Sequence, residues 1–210
     1  MNNIAKLFNI SLTKLLLLIT FCFILLHQVN AEESLYDRGI NFIELKEYEK
    51  ALSAFEFGAK TGDLDAMTAL GVMYITGVGV IQNDTKGFQF IQDAANKSHP
   101  KAQYTLGAIY YLGAGIGIDY NKAFKWISLS AEQGYLDAQH NLAQMYETGK
   151  GVAKNSKKAY EYYLASARSN NVDSQIKIAE MYQKGIGTAK NLAKSAYWLK
   201  KIEESKAKNQ

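Results

Sequence analysis

From residue 66 onward, small and apolar positions recur at helical spacing, and the whole pattern repeats every 36 residues. Ala66, Ala102, Ala138 and Ser174 are followed four residues on by Leu70, Leu106, Leu142 and Ile178, and four later by Tyr74, Tyr110, Tyr146 and Tyr182. An i, i+4, i+8 stripe is one face of an α-helix. Gly71, Gly107, Ala143 and Ala179 sit beside it and let a second helix approach closely. Each first helix is predicted to stop at Gly77, Gly113, Gly149 or Gly185, where glycine supplies left-handed backbone geometry. A second helix is predicted to start at Asn83, Asp119, Asn155 and Asn191, side chains that cap free N–H groups. Phe90, Trp126, Tyr162 and Trp198 are expected on its buried face, filling the space between neighbouring units. It is expected to end near Asn96–Ser98, Gly134 and Asn170–Asn171.

Residues 32–65 make a shorter related unit. Gly39 and Phe42 mark its first helix, and Lys50-Ala51 keeps the register of Lys86-Gly87, Lys122-Ala123 and Lys158-Ala159, but the Gly-x-Gly loop is missing. The expected organisation is therefore a first helix pair over 32–65, then units over 66–101, 102–137, 138–173 and 174–202. A polar tail, 203–210, follows. Repetition of this kind predicts an all-α solenoid, and it shifts the search for function from a pocket to a long surface.

The first 31 residues stand outside the repeat. Lys6 and Lys14 precede an apolar run from Leu15 to Leu26, and Ala31 follows small Val29. This reads as a secretory signal cleaved after Ala31. The run is short for a span, which needs roughly 20 residues. Cleavage would remove Cys22, the one cysteine, so no disulfide or thiolate metal site is expected. The net charge of +4 would fall to +2 with the loss of Lys6 and Lys14. That balance does not point to nucleic acid. A periplasmic or secreted monomer is expected, with no stable membrane insertion.

Leu-Gly-x-x-Tyr, Gly-x-Gly-Ile, Lys-Ala-x-x-Trp and Ala-Glu-Gln-Gly within residues 106–134 resemble the Sel1-like repeat family, and the first unit resembles the related tetratricopeptide repeat. The resemblance implies a right-handed superhelix of antiparallel helix pairs acting as a protein-binding scaffold. By analogy with the tetratricopeptide groove, the inner surface takes Tyr36, Ile40 and Ile43 from the first unit, then Thr68, Val72 and Ile75. Tyr104, Ala108 and Tyr111 come next, then His140, Gln144 and Glu147, and last Ile176, Glu180 and Gln183. This groove would grade from apolar to polar and acidic, suiting a peptide or protein with hydrophobic anchors and a basic end.

Other chemistry is weakly represented. Lys60-Thr61-Gly62, Ser169-Asn170-Asn171 and Ser174-Gln175-Ile176-Lys177 mimic elements of serine β-lactamases, and some proteins of the resembled family have been described as binding or hydrolysing β-lactams. Here the order is reversed, and Ser174 falls in a packing column. His99 and His140 lack partners at metal-ligand spacing, and His99 reads as a solvated turn residue. No cofactor or metal is expected. Asn83-Asp-Thr85 and Asn96-Lys-Ser98 are glycosylation sequons, but both coincide with caps and turns. The leading expectation is an exported, non-enzymatic interaction scaffold. A β-lactam-directed cell-wall enzyme is the alternative, and a eukaryotic secretory-pathway adaptor ranks last.

Overall fold

A computed structural model describes residues 34–208; the expected signal segment lies outside the described residues. Among the described residues ten helices form five antiparallel pairs: α1 Leu35–Glu44 with α2 Tyr48–Thr61, α3 Leu64–Thr76 with α4 Asp84–Asn96, α5 Pro100–Leu112 with α6 Tyr120–Glu132, α7 Leu136–Thr148 with α8 Ser156–Arg168, and α9 Val172–Lys184 with α10 Leu192–Lys208. No strand occurs among the described residues. The pairs stack in chain order into a helical solenoid.

Capping sets where the helices begin and end. The side chains of Asn83, Asp119, Asn155 and Asn191 accept the N–H groups of Lys86, Lys122, Lys158 and Lys194 at 2.9–3.0 Å. Their own N–H groups donate back to the carbonyls of Tyr74, Tyr110, Tyr146 and Tyr182 at 2.8–2.9 Å. This double closure fixes the loop between the two helices of a unit, satisfying donors that a bare helix start leaves unpaired. The expected glycine stops at the first helices all carry positive φ.

Within a unit, small residues set the crossing. A Cβ on Gly71 would stand 2.5 Å from Ile91 Cγ1 and 2.8 Å from the Gly87 carbonyl oxygen, so α3 and α4 touch backbone to backbone. Ala143 and Ala159 meet the same need in α7 and α8, where both are fully buried. Between units, Phe88, Phe124 and Tyr160 reach forward to Tyr110, Tyr146 and Tyr182 in edge-to-face pairs at 5.5–5.8 Å. Gln103 and Gln175 add polar straps, donating to the carbonyls of Ala95 and Ala167 in the preceding unit.

One expected packing column is displaced by a residue. The large side chains fully buried on the second helices are Phe55, Ile91, Ile127 and Tyr163, not Phe90, Trp126 and Tyr162, which are half-buried. Phe90 and Tyr162 stack on Tyr74 and Tyr146 of their own units at 6.0 Å instead of filling the space between units. Trp198 alone of that column is buried. At each of these positions the residue that follows the expected ring, Ile91, Ile127 or Tyr163, takes the tighter site. At the C-terminus, α10 continues to Lys208 through the segment expected as a polar tail, burying Ile202 and exposing Leu192, Tyr197 and Leu199.

Candidate functional site

The curvature follows from which helices touch. The first helices α1, α3 and α5 contact one another directly, whereas no two second helices are packed to that extent. Over the first three units the first helices therefore line the inside of the bend and the second helices the outside.

Most of the predicted groove residues lie on this inner face. Tyr36, Ile40 and Ile43 of α1 converge with Thr68 and Val72 of α3 around a cavity of about 380 Å³. Phe55, Ala69, Met73, Thr76, Val78, Lys101 and Thr105 complete the lining. The walls are almost wholly aliphatic and aromatic. Thr68 is buried, and its hydroxyl donates to the Leu64 carbonyl at 2.6 Å, so it offers a methyl and no polar group. A second cavity of about 180 Å³ lies further along, between Tyr104, Ala108 and Tyr111 of α5 and Asn141 and Gln144 of α7.

Ile75 turns elsewhere, and the two tyrosines of the second cavity are held by other side chains. Ile75 packs against Gly87 of its own second helix, where a glycine Cβ would stand 2.6 Å from Ile75 Cγ1. Tyr111 stands edge-on to Tyr120 at 5.2 Å and accepts a hydrogen bond from Lys150 at 3.0 Å. Tyr104 accepts from Asn141 at 3.0 Å and packs on Tyr135 at 5.3 Å. Burial and the Asp137 charge raise its phenol pKa. Both tyrosines are bound into the wall and are not free to act as flexible anchors.

The expected acidic character of the C-terminal half is cancelled within the chain. Glu147 accepts from Lys177 at 2.9 Å and from the Tyr163 hydroxyl at 2.7 Å, and Glu180 pairs with Lys184 at 2.6 Å. The Lys184 hydrogen bond holds the Glu180 carboxyl below its ordinary value. Burial, together with Glu147, pushes the Tyr163 phenol far above its ordinary value. His140 joins the same cluster: its Nδ1 lies 2.7 Å from Ser174 Oγ, which donates to Ser166 Oγ at 2.9 Å. Burial holds the imidazole below its ordinary pKa, aided by Lys177 and opposed by Asp173, Asp137 and Glu147. Gln144, Ile176 and Gln183 are exposed.

A cluster at the rim of the larger cavity was not anticipated. Lys101 donates to the Tyr36 hydroxyl, its ammonium lies 4.0 Å from the Tyr36 ring centre, and Asp65 stands 3.4 Å away. Burial lowers the Lys101 pKa, but Tyr36 and Asp65 outweigh it and the net shift is upward. His99 is no solvated turn residue: its Nδ1 accepts the Ala102 N–H at 3.3 Å as the cap of α5, and its Nε2 faces Asp65 at 3.4 Å. The available signal was Lys101 itself, the single cation in the column Asp65, Lys101, Asp137, Asp173.

The β-lactamase-like motifs do not assemble. Ser174 has no exposed surface and is tied to His140 and Ser166, while Lys177 is engaged with Glu147. Lys60-Thr61-Gly62 closes α2, in a different unit. Among the described residues no histidine and carboxylate group has a metal-holding arrangement.

Comparison with known families finds the Sel1 repeat in four consecutive segments, residues 64–99, 100–135, 136–171 and 172–204. The chain is a Sel1-repeat protein. Among solved structures, a protective antigen of uropathogenic Escherichia coli strains with this fold is 35% identical over 74% of the chain, with a TM-score of 0.70. A Sel1 repeat protein from Oxalobacter formigenes is 27% identical over 75% of the chain, with a TM-score of 0.66. One from Klebsiella pneumoniae shares the fold at 22% identity, with a TM-score of 0.53, covering 83% of this chain and 90% of its own. The present chain spans 33% of the E. coli structure and 63% of the Oxalobacter one. No curated protein matches the chain. Sel1-repeat proteins generally serve as protein-interaction scaffolds. No described helix of this Sel1 array is long and apolar enough to cross a membrane.

Proposed function

We propose that this Sel1 array is an exported, non-enzymatic scaffold that holds a peptide or protein segment along its inner face. The observation that carries the reading is the cavity of about 380 Å³ between α1, α3 and α5. Its aliphatic walls have room for one or two bulky side chains, and open apolar surface of this kind gains free energy when a partner covers it. The anchor is therefore assigned to the end of the groove formed by Ile40, Ile43 and Val72, with Tyr104 and Tyr111 as fixed walls of the next subsite. Because Glu147 and Glu180 are neutralised within the chain, the reading no longer asks for a basic end on the partner. Export rests on Lys6, Lys14 and the apolar run Leu15–Leu26. It also accords with the E. coli relative being a protective antigen.

The test is a crosslinked pull-down from the bacterial envelope and medium with the parent chain and with Val72→Lys. Val72 is partly exposed at the mouth of the cavity, so lysine there places a charge in the groove without opening the core. A partner kept by the parent and lost by a variant of unchanged helicity supports the reading. A partner held equally by both moves binding off the inner face.

A further inference from the structure

The loops between the paired helices form one continuous edge. A Cβ on Gly115 would stand 2.6 Å from Asp84 Cβ, and one on Gly187 would stand 2.6 Å from the Ser156 carbonyl carbon. Each Gly-x-Gly loop thus rests on the first turn of the preceding unit's second helix, so the loops stack in a row. This edge is distinct from the inner face, and its side chains change character along its length.

In the first three units exposed aliphatic side chains stand out on the edge, beside the polar Glu44, Lys46, Gln82 and Asn83. Leu45 is 61% exposed, Ile81 91%, Leu112 70% and Ile118 60%. Leu45, Ile81 and Ile118 lie in the connections between paired helices, while Leu112 closes α5 and also borders the second cavity. In the last two units the edge is basic. Residues 149–158 carry Lys150, Lys154, Lys157 and Lys158 with no carboxylate, and residues 184–194 carry Lys184, Lys190 and Lys194 with none. Only Lys184 is neutralised, by Glu180. Lys154, Lys157 and Lys190 are exposed and make no ion pair among the described residues. Ile186 and Leu192 stand exposed between the lysines.

We propose that this loop edge docks the protein peripherally on a bilayer surface that carries anionic lipids, leaving the inner face open for a partner. A soluble acidic partner would satisfy the lysines but has no need of side chains as prominent as Ile81. A neutral apolar partner would leave the lysines unpaired. A bilayer with anionic headgroups answers both: aliphatic tips enter the boundary between headgroups and acyl chains while ammonium groups stay level with the phosphates. A row of loop tips also suits a broad surface better than a compact ligand.

The test is cosedimentation of the full chain with phosphatidylcholine vesicles and with vesicles containing about a third phosphatidylglycerol. Two variants are compared, Lys154→Gln/Lys157→Gln/Lys190→Gln and Ile81→Ser/Ile118→Ser. All five side chains are exposed, so helicity is expected to be unchanged. Because both variants keep Leu15–Leu26, their difference from the parent reports the loop edge alone. The parent is expected to partition more strongly into anionic vesicles. The lysine variant should lose about fivefold per residue, roughly a hundredfold in all, and salt at about 0.5 M should remove the preference. The isoleucine variant should bind both kinds of vesicle several-fold less well. The proposal is overturned if either variant binds as the parent does, or if the parent ignores lipid charge. It is equally overturned if the parent binds soluble polyglutamate through these lysines but not the vesicles.

Discussion

Replacing Gly134 and Gly151 by alanine makes the same conformational demand in two different surroundings. Gly134 has φ +84 and Gly151 φ +72, both in the left-handed region, where a Cβ costs roughly 1–2 kcal/mol. Around Gly134 a Cβ would meet nothing within 4 Å. At Gly151 it would overlap the Tyr120 carbonyl, standing 2.5 Å from the carbonyl carbon and 3.1 Å from Phe124 Cβ. Those atoms belong to the first turns of α6, so relief requires the loop to lift off the preceding unit. Overpacking of this kind adds about 1–3 kcal/mol. Gly134→Ala should therefore cost about 1 kcal/mol and Gly151→Ala about 3 kcal/mol, values summed from these two effects. Urea unfolding followed by far-ultraviolet circular dichroism measures both. The Gly151 variant should also unfold less cooperatively, since a solenoid depends on contacts between adjacent units. Equal losses in the two variants would refute the claim that the loops bear on their neighbours.

Two further outcomes follow from local geometry. Ser98 adopts φ +61 at the turn where Gly62 and Gly134 occupy the matching places of other units, so Ser98→Gly should raise stability by about 1 kcal/mol in a thermal or urea melt. His140 is held below its ordinary pKa, so the unfolded chain binds its proton more readily than the folded one. The stability this contributes is complete above about pH 6.5 and is lost as pH falls from there through the folded value. The urea midpoint should drop between pH 7 and 5, and His140→Asn should flatten that drop; an unchanged slope in the variant would remove His140 as its source.

Much of the fold was legible because each repeat states the same instruction. Columns such as Asn83, Asp119, Asn155 and Asn191 are capping residues in every copy, and a chance match would not recur at a fixed interval. The inner face came by another route: the resemblance to the tetratricopeptide groove named Tyr36, Ile40, Ile43 and Val72 together, and these four line one cavity. What escaped was whatever depends on a neighbour outside the column. Glu147 reads as a free acid until Lys177 and Tyr163 are found beside it. Ile75 and Tyr111 share a column with Ile43, but the crossing of each helix pair turns them toward Gly87 and Tyr120. The half-buried ring of Phe90 and the buried Ile91 are adjacent in sequence, and only the angle between α3 and α4 decides which goes inside. Lys101 was hidden because its partners, Tyr36 and Asp65, come from two other units.

Site-specific photocrosslinking tests the inner-face account most directly, with a photoreactive phenylalanine placed in turn at Val72, at Gln144 and at Lys125, which is exposed on the outer helix α6. The account predicts one partner captured from Val72 and Gln144, with none from Lys125. Capture of that partner from Lys125 alone would contradict it.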